Sequence, residues 1–138
     1  MPQADERHPA TRRTPSRIAG HGLRAAAPID RGTVVVRFAA APSTVDDLHD
    51  LNHSCDPNLS WLDDHTLIAG RGIAAEEELT VDYATWLADP DFVLYCHCET
   101  YRCRQVIEGH DWRIPQLQTR YAGWFTPELQ RRVDATPG

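Results

Sequence analysis

Short apolar runs, separated by glycine, proline and acidic turns, make up the chain from residue 17 onward. Within several of these runs apolar and polar positions alternate, and valine, isoleucine and threonine are frequent. Such short alternating runs are typical of β-strands, because successive side chains of a strand point to opposite faces of the sheet. The pattern predicts strands over residues 18–25, 33–36, 59–62, 65–69 and 79–83.

Between the predicted strands, two stretches follow other patterns. Residues 52–58 are rich in side chains that bond to their own backbone, which predicts an irregular loop. Ser43 is a candidate cap for a single short helical turn that ends at Leu48. At the start of the chain, residues 1–16 hold three prolines and no apolar period, which predicts a disordered tail.

The C-terminal part differs from the rest of the chain. Residues 114–121 and 127–133 predict two short helices, the second with Thr126 as its cap and Pro127 at its first helical position. The predicted fold class is therefore mainly β, with many short strands and a short helical C-terminal tail.

Length and composition limit the alternatives. The 138 residues and 15.6 kDa are enough for one compact domain. No apolar run approaches the roughly 18 residues that a membrane-spanning helix needs, so we expect no membrane insertion. The N-terminus lacks the charged and then apolar layout of a secretory signal, so the sequence predicts a cytoplasmic protein.

The charge is distributed unevenly along the chain. All 14 basic residues are arginine, 20 residues are acidic, and the net charge is −6. Residues 42–91 contain Arg71 and twelve acidic residues, a net charge of −11. Such a field repels phosphate backbones and attracts cations, which makes nucleic acid a poor ligand and a basic peptide a better one. Solubility of a small surface is the alternative explanation of the acidic excess.

The four cysteines indicate a metal site. Cys96, Cys98 and Cys103 lie on one short segment, and a structural zinc ion needs four ligands in tetrahedral array. Cys55 is the remaining thiol and completes the set. In the alternative interpretation Cys55 is a small buried apolar residue, and His97 or His110 is the fourth ligand. Two disulfides are disfavoured in a reducing compartment.

Four motifs together resemble the SET-domain protein lysine methyltransferases with a post-SET zinc segment. They occur in the order of that family: Gly20-His21-Gly22-Leu23, Asn52-His53-Ser54-Cys55-Asp56-Pro57-Asn58, Glu78-Leu79-Thr80-Val81-Asp82-Tyr83 and Cys96-x-Cys98-x4-Cys103-Arg104. The resemblance divides the chain into a tail (1–16), a SET domain (17–95), a post-SET zinc segment (96–108) and a C-terminal helical extension (109–138).

The resemblance implies a β-clip or SET-type fold of small sheets, in which the heptapeptide 52–58 and the segment 78–83 cross in a pseudoknot. It implies S-adenosyl-L-methionine as cofactor, one structural zinc ion, and a protein or peptide substrate that carries lysine. Tyr83 is implied as the catalytic residue and as a cofactor contact. The other implied cofactor contacts are His21, Gly22, Leu23, Asn52 and His53, and the implied metal ligands are Cys55, Cys96, Cys98 and Cys103.

The implied reaction is the transfer of a methyl group from a sulfonium to the neutral lysine amine. Free lysine has a pKa of about 10.4, so the site has to favour the neutral amine. A nearby sulfonium and an apolar channel both do so. Tyr83 would align the amine through its hydroxyl, and most of the acceleration would come from positioning.

The chain departs from the family pattern in one place that affects substrate binding. Only thirteen residues separate Phe38 from Asn52, where the family has a longer insert that walls the peptide groove. Either a second subunit in a homodimer or the C-terminal helices would then complete the channel. Two other functions stay open, an inactive zinc-stabilised binding module and a methyltransferase for a small amine.

Overall fold

Within residues 5–136, ten short strands in three small sheets form most of the regular structure. The computed structural model describes residues 5–136. Its strands are β1 (Glu6–Arg7), β2 (Thr11–Pro15), β3 (His21–Ala25), β4 (Val34–Arg37), β5 (Asn52–His53), β6 (Leu59–Asp63), β7 (Thr66–Ala69), β8 (Glu78–Val81), β9 (Val93–Tyr95) and β10 (Val106–Glu108). Its helices are α1 (Pro115–Arg120) and α2 (Pro127–Ala135), with single 3-10 turns at Val45–Leu48, Tyr83–Thr85 and Asp111–Arg113.

The sheets are built from neighbours that are distant in sequence. One sheet has the order β1-β4-β7-β6, a second has the order β2-β3-β8-β5, and β9 pairs with β10. All pairs are antiparallel except β5 and β8, which run parallel with Asn52 beside Thr80. The predicted mainly β class is confirmed, and the five predicted strands are present with ends shifted by up to three residues.

The heptapeptide 52–58 is partly regular where the sequence predicts an irregular loop. Its first two residues form β5 against β8. Its last residue extends the contact, because the Asn58 amide donates to the Glu78 carbonyl at 2.8 Å and accepts from the Thr80 N–H at 2.9 Å. An asparagine side chain thus imitates a strand neighbour, and it holds the heptapeptide against the segment 78–83, as the resemblance implies for these two segments.

The N-terminal segment corrects one prediction. Residues 1–4 lie outside the described residues, but residues 5–16 are not a disordered tail. β2 pairs with β3 over five positions, from Thr11 opposite Ala25 to Pro15 opposite His21, and β1 pairs with β4. The sequence did not reveal β2 because it is an edge strand whose side chains are exposed or half-buried, so it carries no apolar period.

A second, smaller core holds the C-terminal helices. Both predicted helices are present, and the Thr126 hydroxyl caps α2 by accepting from the Leu129 N–H at 3.2 Å. The cap of the 3-10 turn at 45–48 is Thr44 rather than the predicted Ser43. None of the described helices has the length and apolar character that crossing a bilayer requires.

The buried residues divide into three clusters. The main core lies between the two larger sheets and includes Leu23, Val35, Leu67, Leu79 and Val81. The second cluster joins the C-terminal helices to the turn after β8 and comprises Ala84, Trp112, Leu117, Tyr121, Phe125 and Leu129. The third surrounds the cysteines with Cys55, Cys96 and Ile107. The turn at residues 82–85 lies where these clusters meet.

Gly109, which follows β10, packs directly against the main chain of Asp89. This close contact can be tested by substitution. A Cβ atom at Gly109 would collide with the Asp89 carbonyl oxygen, whereas one at exposed Gly72 would meet nothing within 4 Å. We expect Gly109→Ala to lower the free energy of unfolding by about 2 kcal/mol, and Gly72→Ala to change it by less than about 0.5 kcal/mol. Urea unfolding followed by tryptophan fluorescence measures both, and equal values would contradict the close packing at Gly109.

Candidate functional site

Tyr83 lies at the end of β8, where the strand turns sharply into a 3-10 turn. Asp82 caps this turn by accepting the Ala84 N–H at 2.9 Å. The tyrosine side chain is 5% exposed, and its hydroxyl donates to the Leu51 carbonyl at 3.0 Å. Its ring meets those of His53 and Phe92 edge to face. The strand end therefore holds the Tyr83 ring in one place and orients its hydroxyl.

Two cavities meet at Tyr83. One, of about 310 Å³, lies between the 19–21 loop and residues 45–52. The other, of about 260 Å³, is bounded by Phe92, Leu94, Cys96 and His97 and is mostly apolar. Both are also lined by Ala19, Val45, Asn52 and Tyr83. Each has a volume at the lower end of the range of small-molecule binding pockets.

The predicted cofactor residues differ in where the structure places them. His21 and Asn52 line the first cavity, and Asn52 and His53 line the second. Gly22 and Leu23 lie inside β3, line neither cavity, and are buried. A Cβ atom at Gly22 would collide with the Glu78 carboxylate, so this glycine is required for strand packing. The roles of these residues in cofactor binding stay predictions.

Asn52 shapes the wall shared by the two cavities. Its amide nitrogen lies 3.0 to 3.1 Å from four acceptors, the Ser16 hydroxyl, the Ala19 and His21 carbonyls and a Glu78 carboxylate oxygen. The amide oxygen makes no hydrogen bond to another residue in the described range 5–136, so it is the part of this side chain available to a ligand.

His53 uses both ring nitrogens inside the protein. Its Nδ1 accepts the Tyr83 N–H at 3.0 Å, so its proton is on Nε2, which lies 3.3 Å from the Cys55 Sγ. Burial lowers the pKa of His53 to about 4 against the attraction of Asp82, so the ring is neutral at pH 7. His53 therefore links the cysteine cluster to Tyr83, and only its ring face and main chain are available to a cofactor.

The four cysteines converge although they come from segments about forty positions apart. Cys55 lies in the heptapeptide, and the other three cysteines lie on the loop between β9 and β10. All are free thiols, and their sulfur atoms lie within 4.8 Å of one another, with Cys55 and Cys96 at 3.9 Å. Tetrahedral zinc with sulfur at about 2.3 Å places the sulfurs roughly 3.8 Å apart, so this donor set fits the ion.

The surroundings of the sulfurs also suit thiolate ligands. The Arg104 N–H donates to the Cys55 Sγ at 3.3 Å, and the Cys98 N–H donates to the Cys96 Sγ at 3.4 Å. Burial raises the pKa of the Cys55 thiol to about 12. Burial also opposes ionisation of Cys98, but hydrogen bonds, chiefly with the Thr100 hydroxyl, outweigh it and lower that pKa to about 6. A bound cation would stabilise all four as thiolates.

The histidines that the sequence left open as fourth ligands do not join the cluster. His97 and His110 are exposed, and His110 lies 2.9 Å from a Glu108 carboxylate oxygen. The structure thus favours Cys55 as the fourth ligand, while the identity of the metal stays a prediction.

Residues 46–84, which include the heptapeptide and Tyr83, match the family model of the SET domain. Over this stretch the chain is similar to the SET domain. The histone-lysine N-methyltransferase ash1 of Drosophila melanogaster is 39% identical over 74 residues. That match covers 49% of this chain and 3% of the fly protein, so the chain spans only a small part of that relative.

A solved structure supports the same fold. The methyltransferase domain of the human histone-lysine N-methyltransferase SETMAR superposes with a TM-score of 0.50 at 22% identity, over 62% of this chain and 53% of that chain. At this identity the likeness concerns the fold alone. The resemblance and the SET-type fold class that the sequence predicts are both confirmed.

Beside the candidate site lies a buried polar network for which the sequence predicted no role. Asp82 is completely buried and forms a bidentate ion pair with Arg104, whose two terminal nitrogens donate to the two carboxylate oxygens at 2.7 and 3.0 Å. Arg104 also reaches Asp111 at 3.2 Å, and the Tyr121 hydroxyl donates to Asp82 at 2.8 Å. Burial favours the neutral form of Asp82, but the hydrogen bonds and charge of Arg104 outweigh it and keep its pKa low.

The position of this network explains its importance. Asp82 directly precedes Tyr83, and Arg104 directly follows Cys103, so one ion pair joins the tyrosine turn to the cysteine loop. Tyr121 adds the C-terminal extension. A charged residue at the end of an otherwise buried strand is the sequence signal that could have revealed the network, because such a residue needs a partner of opposite charge.

The metal site can be tested by substitution of its predicted ligands. We expect one zinc ion per chain in the native protein and in His97→Ala, and loss of the ion in Cys55→Ser. Elemental analysis of the purified proteins measures the metal, and thermal unfolding with and without a chelator reports its contribution to stability. Stoichiometric zinc in Cys55→Ser would exclude this cysteine as a ligand.

The ion pair can be tested with two matched arginine substitutions. Arg104→Lys keeps the charge but loses the two-pronged contact with buried Asp82, so we expect the free energy of unfolding to fall by about 2 kcal/mol. Arg102→Lys, on the same loop and 3.8 Å from the Asp56 carboxylate at the surface, should change it by less than about 0.5 kcal/mol. Urea unfolding measures both, and equal decreases in the free energy of unfolding would show that the buried ion pair contributes no more to stability than the surface pair.

Proposed function

We propose that this SET domain transfers a methyl group from S-adenosyl-L-methionine to the side chain of a lysine in a protein. The observation that carries the proposal is the position of Tyr83, whose oriented hydroxyl lies where two cavities meet. The fly relative supports it, because that protein is named a histone-lysine N-methyltransferase, and the human domain supports the fold that the proposal requires.

The cofactor, when bound, supplies an activated methyl group on a sulfonium. Two features of the cavities fit it: the exposed turn at 19–21 offers main-chain groups, and the apolar side chains of Phe92 and Leu94 can cover a nucleoside. Gly20 has a φ of 44°, a left-handed conformation that favours glycine and brings this turn close to the cavity. The Asn52 amide oxygen adds one acceptor for a polar group of the cofactor.

Tyr83 acts on the amine by orientation. Its O–H is committed to the Leu51 carbonyl, so its oxygen offers lone pairs that can accept an N–H of the incoming amine. Burial raises the pKa of the Tyr83 hydroxyl, so it stays protonated and is not a strong base. The apolar rings and side chains around it disfavour an ammonium, and the lysine therefore reacts as the neutral amine.

Both the cofactor and the role of Tyr83 can be tested with one substitution. We expect Tyr83→Phe to lower the rate of methyl transfer roughly 100-fold and to leave the affinity for S-adenosyl-L-methionine within about twofold, because the ring remains. Tyr101→Phe, in an exposed tyrosine on the cysteine loop, should leave both unchanged. Transfer of labelled methyl groups to purified core histones measures the rate, and calorimetry measures the affinity.

Two results would overturn this account. An unchanged rate in Tyr83→Phe would remove the assigned role, and failure of the native protein to bind S-adenosyl-L-methionine would favour a zinc-stabilised binding module. Because the chain contains no lysine, label on the protein itself could reach only its α-amine, so background from self-modification is small.

A further inference from the structure

A groove leads away from Tyr83 on the side of the shortened segment 39–51. It begins at Val45 and Phe92, which line the apolar cavity at Tyr83 and also a third cavity of about 200 Å³. This third cavity shares Ser43, Leu87 and Asp89 with a fourth cavity of about 360 Å³. The three cavities are therefore neighbours that share side chains as walls, and we call the third and fourth together the α2 groove.

The α2 groove has a fixed floor and one helical wall. The Trp86 indole N–H donates to the Pro42 carbonyl at 2.9 Å and holds the floor. Leu129 lines the groove from α2, whose start is fixed by the hydrogen bond from the Thr126 N–H to the Thr85 carbonyl at 3.0 Å. The C-terminal extension thus provides a wall on the side where residues 39–51 are too short to form one.

Carboxylates surround the α2 groove. Asp46, Asp64 and Asp89 line it, and none of the three forms an ion pair within the described residues 5–136. Glu128 and Arg132 also line it, and because the Glu128 carboxylate lies 3.9 Å from the Arg132 guanidinium, their charges offset each other. An apolar floor with a negatively charged rim matches arginine and lysine side chains, whose apolar stems can lie on Trp86 and Leu87 while their charged ends reach the carboxylates.

We propose that the α2 groove binds a basic segment of the protein substrate, next to the lysine that enters the site at Tyr83. This inference rests on the proposed function and names the chemistry of its substrate. The C-terminal helix α2 then selects the substrate, together with the acidic positions Asp64 and Asp89.

The test compares two double variants that remove the same charge from different places. Asp64→Asn with Asp89→Asn neutralises the α2 groove, and Asp30→Asn with Asp134→Asn neutralises two exposed carboxylates outside it. The probes are two labelled synthetic peptides with one central lysine, one flanked by arginines and the other by glutamates at the same positions. Fluorescence anisotropy measures binding, and labelled methyl transfer is measured on the same samples.

We expect the native protein to bind the arginine peptide in preference to the glutamate peptide. The groove variant should weaken binding of the arginine peptide about tenfold, and the control variant by less than about twofold. Thermal unfolding of both variants checks that they are folded. Equal weakening by the two variants, or equal binding of the two peptides, would overturn the inference.

The two readouts separate this inference from the proposed function. Selective binding without any methyl transfer would support the α2 groove and contradict the methyltransferase proposal. Methyl transfer to the arginine peptide with a KM that the groove variant leaves unchanged would support the methyltransferase and overturn the role of the groove.

Discussion

The buried ion pair between Asp82 and Arg104 joins the two segments on which the candidate site depends most, the tyrosine turn and the cysteine loop. Asp82 caps the turn that presents Tyr83, and Arg104 donates its N–H to Cys55 while its side chain holds Asp82. Because a buried carboxylate without a partner is strongly unfavourable, the tyrosine turn and the cysteine loop can reach their positions only together. The position of Tyr83 therefore depends on a contact that lines neither cavity at this tyrosine.

His53 and Tyr121 reinforce this connection from opposite sides. His53 joins the Tyr83 main chain to the Cys55 sulfur, and Tyr121 joins Asp82 to the Cys55 carbonyl, at 2.8 and 3.3 Å. The cysteine cluster and the C-terminal extension are thus structural supports of the same turn. Small sheets such as these bury little apolar surface, so polar links of this kind contribute much of the rigidity that a positioned hydroxyl requires.

The sequence predicted the features that local chemistry determines. Local backbone and ligand chemistry determines which residues occur in the glycine turn, the heptapeptide, the tyrosine strand end and the cysteine segment. The structure brings four of the predicted residues, His21, Asn52, His53 and Tyr83, to neighbouring cavities. The sequence did not predict β2, because an edge strand with exposed side chains has no apolar period. It also did not predict that Asp82 pairs with Arg104, which lies 22 positions later. The sequence did not predict the α2 groove either, because its walls come from four separate segments, residues 41–46, 64, 86–92 and 126–132.

The wide separation of the cysteines also has a kinetic consequence. Cys55 and Cys96 are 41 positions apart, and β5, which begins the heptapeptide, pairs with β8, which is 26 positions later. Contacts between such distant segments form later than a local hairpin such as β6–β7, because the entropy of closing the loop is lost before the contact stabilises it. We therefore expect the cysteine cluster to assemble late in folding, so that a newly made chain gains the ordered cavities at Tyr83 last.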